Sequence, residues 1–164
     1  MELLLADCYV RRDQVALIAF RGRTAELLLP PTRSLARAKR ALSELPGGGA
    51  TPLATGIDAA IATADGVTRR GSTPIVVLLT DGRANVARDA STDRGRAETD
   101  ALSAARRVRA AGVTALLVDT APRAGAFSQR LAKDMAAQYI ALPYADARTL
   151  SQAVTVASQV GSPR

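Results

Sequence analysis

The chain has 164 residues, enough for one domain with a buried core, and we expect a single domain over 1–164. Hydrophobic residues make up 48% and aromatic residues only 3%, so the core must be aliphatic, as is typical of helices packed on a parallel sheet. The net charge is +7, but the basic residues are scattered without aromatic residues between them. We therefore expect an acidic protein partner and no nucleic acid.

Several classes of protein are excluded by residues that the chain lacks. There is no histidine, which removes the commonest general base and the commonest transition-metal ligand. The lone Cys8 cannot form an internal disulfide. No apolar stretch approaches the ~20 residues that a membrane span needs, and residues 1–7 lack the basic start of a signal peptide. The sequence predicts a cytoplasmic protein without a membrane span.

The first third of the chain predicts a helix end, a hairpin and a second helix. Residues 1–10 are expected to be the tail of a helix, and the apolar run 14–20 is of strand length. A short turn separates that run from a second, more polar strand at 24–29, which predicts an antiparallel hairpin at a sheet edge. After two prolines, Thr32 is predicted to cap a helix that reaches Leu45.

Helices and strands alternate through the rest of the chain. The predicted helices cover 53–69, 98–111, 127–137 and 145–159, and the predicted strands cover 74–80, 113–119 and 139–142. The run 74–80 (PIVVLLT) is the clearest buried strand. The alternation predicts a three-layer α/β domain with a mostly parallel sheet. Ligands of such sheets bind beyond the carboxyl ends of the strands, so the loops 47–52 and 81–82 are candidate sites.

Asp81 directly follows the strand predicted at 74–80. A carboxylate at that place is expected to be partly desolvated and to need a counter-charge or a set of donors. One interpretation is that Asp81 only caps a turn with Gly82. The other is that it is a ligand of a hard metal ion, because Mg²⁺ and Mn²⁺ favour oxygen donors.

Thr51 lies in a glycine-rich loop directly before Pro52, which suits the first turn of a helix. Its hydroxyl is predicted to project at the sheet edge, where a metal ion can reach it. The alternative is that Thr51 caps the helix beginning at Pro52, and both interpretations can hold together. The loop is not an ATP-binding P-loop, because no Lys-Ser/Thr pair follows the glycines.

Two further features have a structural and a functional interpretation. The polar segment 83–96 is either a solvated loop or a partner contact; its charged residues are Arg83, Arg88, Asp89, Asp93, Arg94 and Arg96. Asp119 ends its strand as Asp81 does, but a turn-capping role with Thr120 is the interpretation that we favour.

The segments GGGATPLATGI (47–57) and LLTDGRAN (78–85) resemble the second and third metal loops of von Willebrand factor A domains. In that family a threonine and an aspartate of these loops help to complete a metal-ion-dependent adhesion site. Thr51 and Asp81 stand at those positions. The resemblance therefore implies a three-layer, Rossmann-like fold and a site for Mg²⁺ or Mn²⁺.

The resemblance extends over nearly the whole chain to the A-type domain of magnesium chelatase D subunits. It is carried by YVRRDQVALIAFRG (9–22), LLLPPTRSLARAKRAL (27–42), the two metal loops, LVDTAPR (117–123) and LPYADA (142–147). It implies a non-catalytic docking module in ATP-dependent Mg²⁺ insertion into protoporphyrin IX, a step of chlorophyll or bacteriochlorophyll biosynthesis. The implied partners are an ATPase ring subunit and a large porphyrin-binding subunit, bound through a partner carboxylate at the metal. No ATP is expected to bind here.

The chain departs from the family at the first metal loop. No Asp-x-Ser-x-Ser motif is present, and residues 1–12 correspond to the middle of the helix after that loop, as in an N-terminally truncated domain. Mg²⁺ binding by this chain alone is therefore expected to be weak or absent. The central first strand is also expected to be missing, which leaves ladder groups unpaired at about 1–3 kcal/mol each.

Two other functions remain open at this point. The first is a degenerate docking domain that binds partners without a metal, which the missing motif favours. The second is a small Mg²⁺-dependent phosphotransfer enzyme with Asp81 at the sheet edge. The residue two positions after Asp81 is Arg83 and not a second aspartate, which disfavours that enzyme.

Overall fold

The computed structural model describes residues 2–45, 48–142 and 147–160, and helices and strands alternate through most of them. The elements of the described residues, in chain order, are α1 (Glu2–Val10), β1 (Val15–Arg21), β2 (Thr24–Thr32), α2 (Leu35–Ser43), α3 (Leu53–Thr68), β3 (Ile75–Thr80), α4 (Arg94–Ala110), β4 (Thr114–Asp119), α5 (Ala126–Met135), β5 (Gln138–Ala141) and α6 (Ala147–Val160).

The strands form two separate sheets. One is parallel and three-stranded, in the order β3-β4-β5, with Ile75 opposite Thr114 and Leu117 opposite Tyr139. The other is the antiparallel hairpin β1-β2. Among the described residues, no strand pairs with the second edge of β1 or of β3. The predicted α/β class, the parallel sheet and the antiparallel hairpin are confirmed, but the hairpin forms a sheet of its own and not an edge of the parallel sheet.

Helices cover the parallel sheet on both faces because side chains alternate along β4. Leu117 points into a core shared with α3, α4 and α5, in which Ile57 and Leu131 are buried. Leu116 and Val118 point to the opposite face, against α6. The result is the predicted three-layer arrangement around the parallel sheet.

The short helix α1 connects the two sheets on one side. Leu4 belongs to the cluster under β4 and α6, whereas the adjacent Leu5 packs with Leu29 of the hairpin and with Ala38 of α2. A hydrogen bond from Ser151 to Asp7 joins α1 to α6 as well. On the other side, α3 contacts both β1 and β3. The sheets are thus held together by helices and not by a shared ladder.

The most completely buried strand is β4 and not β3. All residues from Ala115 to Asp119 are buried, whereas Ile75, Val76, Val77 and Leu79 of β3 are half-buried. The difference has a simple cause: within the described ranges, β4 has a strand on each side, whereas β3 has one neighbouring strand. The expectation that 74–80 is the clearest buried strand was therefore wrong in degree, although the strand itself is confirmed.

The predicted cap of α2 was also wrong. Strand β2 continues through both prolines to Thr32, and Ser34 is the residue that caps α2 by accepting a hydrogen bond from the Arg37 amide. Proline is tolerated there because β2, in the part of the chain that the structure describes, pairs on one side, so a missing N–H need not break the ladder.

The other boundaries lie close to the predicted ones, with one exception. Helix α4 begins at Arg94, where Asp93 accepts a hydrogen bond from the Arg96 amide, so the end of the polar segment 83–96 is already helical.

The predicted start of the last helix at Ala145 lies outside the described residues, as do 46–47 and 143–146. In the part of the chain that is described, no helix is both long enough and apolar enough to cross a membrane.

Candidate functional site

Three loops meet at the edge where β1 and β3 end. The amide of Gly22, in the hairpin turn, donates to the carbonyl of Ala50 at 2.8 Å. The next residue, Thr51, donates its amide to Asn85 Oδ1 at 2.6 Å, and the Asn85 amide donates to the Thr51 carbonyl at 3.3 Å. The hairpin turn, the glycine-rich loop and the segment after β3 are therefore connected through their main chains.

Thr51 is half-buried, and its hydroxyl forms no hydrogen bond within the described residues. The N-cap of α3 is Pro52, and no side chain caps that helix. The interpretation of Thr51 as a helix cap was thus wrong. The hydroxyl oxygen of Thr51 therefore remains available as a ligand.

Asp81 is exposed, with 42% of its side-chain surface accessible. Its Oδ1 accepts from the Arg83 amide at 3.1 Å, and its Oδ2 lies 3.3 Å from Arg83 Nε. The turn-capping interpretation is confirmed, and the expectation of partial desolvation was wrong. Arg83 supplies the counter-charge that was expected, at the place where a cation would have to approach.

The turn after Asp81 is closely packed against α5. Gly82 has a φ of +75°, and its amide donates to Thr80 Oγ1 at 3.1 Å. A Cβ at Gly82 would collide with the hydroxyl of Ser128, a fully buried residue of α5. Both the backbone conformation and the space therefore require glycine here.

Asp119 is fully buried at the end of β4. Its Oδ1 accepts from the Ala121 amide at 3.0 Å, and its Oδ2 accepts from the Tyr139 hydroxyl at 2.7 Å and from the Gly125 amide at 3.4 Å. Desolvation acts to raise the pKa of Asp119, but these hydrogen bonds and the nearby Ser128 hydroxyl lower it below its ordinary value. The predicted turn-capping role is confirmed at Ala121; the contacts with Tyr139 and Gly125 were not predicted.

The arginines of the segment 83–96 have acidic partners. Arg88 forms a two-pronged contact with Asp58 of α3, at 2.8 and 3.2 Å, and its amide donates to Asp100. Arg94 pairs with Glu98, and Arg96 pairs with Asp89. Arg88 thus ties the segment to α3 and α4, while the side chains of Arg83 and Arg94 remain 77% and 76% exposed.

The donor atoms fit a magnesium ion in type but not in number. Thr51 and Asp81 offer the hard oxygens that Mg²⁺ and Mn²⁺ prefer. Among the described residues, however, no group of three or more His, Cys, Asp or Glu side chains could hold a metal ion. Any metal at this edge needs further oxygen ligands from water or from another segment or chain.

Comparison with known proteins decides the family. The family model of the von Willebrand factor type A domain matches residues 1–83. The chain belongs to the von Willebrand factor type A domain family. The fold agrees, because the chain superposes on the crystal structure of the SpRpn10 VWA domain with a TM-score of 0.63, covering 93% of this chain and 79% of that one, at 13% identity.

Several longer proteins match nearly the whole chain at a much higher sequence identity than that structure does. The chain is 53% identical over 157 residues to the magnesium-chelatase 60 kDa subunit of Cereibacter sphaeroides. It is 47% identical to the 60 kDa subunit of Rhodobacter capsulatus. Both matches cover 96% of this chain but 28% of the relative. The 67 kDa subunit of Chlorobaculum tepidum is 38% identical, with 92% of this chain and 26% of the relative covered. The chain thus spans about a quarter of these relatives.

Proposed function

We propose that this chain is a protein-docking module of a magnesium chelatase D-type subunit, which supports ATP-dependent Mg²⁺ insertion into protoporphyrin IX without catalysing it. The observation that carries the proposal is the 53% identity to a magnesium-chelatase subunit over nearly the whole chain. The proposed partners are the ATPase ring subunit and the large porphyrin-binding subunit. The setting is cytoplasmic (bacterio)chlorophyll biosynthesis.

The proposed contact is the edge where Thr51 and Asp81 lie. The paired hydrogen bonds between Thr51 and Asn85 support it, because they fix the threonine loop against the segment that follows Asp81. In the proposal, Thr51 and Asp81 each give one oxygen to Mg²⁺ or Mn²⁺, and a carboxylate of the partner completes the site. A bound cation supplies an open coordination position for that carboxylate. Arg83 must turn away from Asp81 when the cation binds.

The first test is thermal unfolding of the chain with and without millimolar Mg²⁺ or Mn²⁺. Because the chain offers only two of the ligands, any rise in the Tm of the wild-type chain is expected to be small, and Asp81→Asn and Thr51→Val are expected to abolish it. Asp65→Asn is the matched control, because Asp65 is an exposed aspartate of α3. A rise that persists in Asp81→Asn contradicts the assigned site.

The second test measures binding of the purified ATPase subunit by biolayer interferometry, with Mg²⁺ and then with a chelator. Loss of binding in chelator supports metal-dependent docking. Binding that resists the chelator favours the second candidate, a docking domain that needs no metal. One specific observation favours that candidate, since Arg83 already lies 3.3 Å from the Asp81 carboxylate as an internal counter-charge. Arg83→Ala separates the two candidate functions. It should strengthen metal-dependent binding, because it removes the positive charge that competes with the cation for Asp81. It should not strengthen docking that needs no metal.

A further inference from the structure

A set of buried polar groups lies behind the Asp81 turn and has no part in the proposed contact itself. Asp119 and Ser128 have no exposed surface, and Tyr139 is half-buried beside them. They come from the paired strands β4 and β5 and from α5, which contacts both strands. Buried polar groups in such positions need a structural or functional explanation.

Asp119 connects β5 to the beginning of α5. The hydroxyl of Tyr139 donates to Asp119 Oδ2 at 2.7 Å, and the same oxygen accepts from the Gly125 amide at 3.4 Å. Gly125 is the N-cap of α5, and a glycine has no side chain with which to cap it. The carboxylate of Asp119 therefore fixes the residue at which α5 starts.

The start of α5 in turn fixes Ser128 against Gly82. Ser128 lies in the first turn of α5, and its hydroxyl occupies the space that a Cβ of Gly82 would need. That hydroxyl is near Asp119 but forms no hydrogen bond of ordinary geometry within the described residues. A shift of α5 would therefore move Ser128 into or away from the turn that carries Asp81.

We infer that Tyr139, Asp119 and Ser128 are positioning residues for the Asp81 turn: they set the start of α5, and through Gly82 they orient the Asp81 carboxylate. Hydrogen bonds lead from the Tyr139 hydroxyl through Asp119 to the Gly125 amide, and Ser128 of the same helix fills the space beside Gly82. The next residue of that turn, Arg83, donates its amide to Asp81 Oδ1 at 3.1 Å. The inference deepens the proposed function and rests on it for the role of Asp81, although the geometry of the turn can be tested alone.

The test is amide hydrogen exchange by NMR on the 164-residue chain without metal, comparing wild type, Tyr139→Phe and Ser128→Ala. The Arg83 amide reports directly on its bond to the Asp81 carboxylate. We expect Tyr139→Phe to loosen the Asp81 turn and to speed exchange of the Arg83 amide by about tenfold, the lower end of what loss of an amide's bond to a carboxylate produces. Ser128→Ala should speed it by a smaller factor, because it removes only the contact with Gly82. Tyr9→Phe, at an exposed tyrosine of α1, is the control and should change nothing.

Two results would overturn the inference. The first is an Arg83 amide that exchanges at the wild-type rate in Tyr139→Phe. The second is an equal acceleration of the Arg83 amide and of the Leu117 amide in the core of β4, which would mean a general loss of stability. Because no metal is present, a failure of the proposed metal site leaves this measurement intact, and the two outcomes are distinguishable.

Discussion

Thr51 and Asn85 bind each other twice. The side-chain oxygen of Asn85 accepts from the Thr51 amide, and the Thr51 carbonyl accepts from the Asn85 amide. Asn85 is the only asparagine of the chain. One residue therefore satisfies both main-chain groups of another, 34 positions away in the sequence, and joins the two loops assigned to the proposed metal.

Replacing Asn85 should separate these loops. Asn85→Ala leaves the part-buried amide of Thr51 without its acceptor, which is expected to lower the free energy of unfolding by about 1–2 kcal/mol. Asn85→Asp keeps an oxygen in the same place and should recover part of the loss. Urea unfolding followed by circular dichroism measures both. Equal stability of Asn85→Ala and wild type would show that the contact contributes nothing.

Two glycines of α3 should respond to alanine with opposite signs. A Cβ at Gly56 would lie 2.6 Å from the Phe20 ring, so overpacking of about 1–3 kcal/mol should exceed the gain of about 1 kcal/mol in helix propensity. At Gly66 the nearest group is the flexible end of Arg70, at 3.6 Å. Gly56→Ala should lower the Tm and Gly66→Ala should raise it. A stabilised Gly56→Ala would mean that α3 and β1 are less closely packed than described.

Asp58 should contribute more to stability than an acidic residue with a single arginine partner does. It accepts hydrogen bonds from Arg88 and Arg107 and joins α3 to α4 and to the segment after β3. Asp58→Asn is expected to cost about 1 kcal/mol, at the upper end for exposed ion pairs. Glu98→Gln, which breaks the exposed pair with Arg94, should cost roughly 0.3–0.5 kcal/mol. Chemical unfolding at low salt compares them, and equal losses would argue against a special role of Asp58.

Asp119 should make the chain sensitive to acid. The pKa of Asp119 is lowered from its ordinary value of 3.8, so the folded chain binds this proton less readily than the unfolded chain does. Its contribution to stability is complete above that ordinary value and is lost as the pH falls through the lower, folded value. Unfolding between pH 2 and 6 should therefore depend less steeply on pH in Asp119→Asn. An unchanged slope would mean that other carboxylates cause the acid sensitivity.

Tyr139 should make the chain sensitive to alkali. Burial and the adjacent Asp119 raise the pKa of Tyr139 from 10.0 to about 12. The corresponding stability is present below pH 10 and is lost as the pH rises towards 12. In an absorbance titration at 295 nm, Tyr139→Phe should abolish the latest-titrating phenol. A wild-type curve without any phenol titrating near pH 12 would contradict the described contact.

The sequence predicted those features that depend on local patterns. The apolar runs gave the strands at 75–80 and 114–119, and Asp81-Gly82 gave the turn after β3, as observed. The cap of α2 was missed because two prolines suggested that β2 had ended, whereas an edge strand accepts them. The exposure of Asp81 was missed because the sequence cannot show that, among the described residues, β3 lies at the edge of its sheet and not at the centre.

Contacts between residues that are far apart in the sequence could not be predicted from local patterns. Asn85 is a common turn residue, and nothing in its neighbourhood points to a loop 34 positions earlier. Asp119 and Tyr139 are 20 positions apart, and their bond depends on β4 and β5 being paired in one particular register. The spacing of hydrophobic residues predicts that these strands are neighbours, but not which side chains meet at their ends.

The division of the sheet has a consequence for how the chain behaves in solution. Among the described residues, the second edges of β1 and β3 have no strand to pair with. Edges of this kind recruit strands from other molecules. The measured stability of the chain should therefore depend on its own concentration and on whatever peptide is present to complete the ladder. A strand that completes the ladder would then act as a ligand of the folded state and stabilise it in proportion to its affinity.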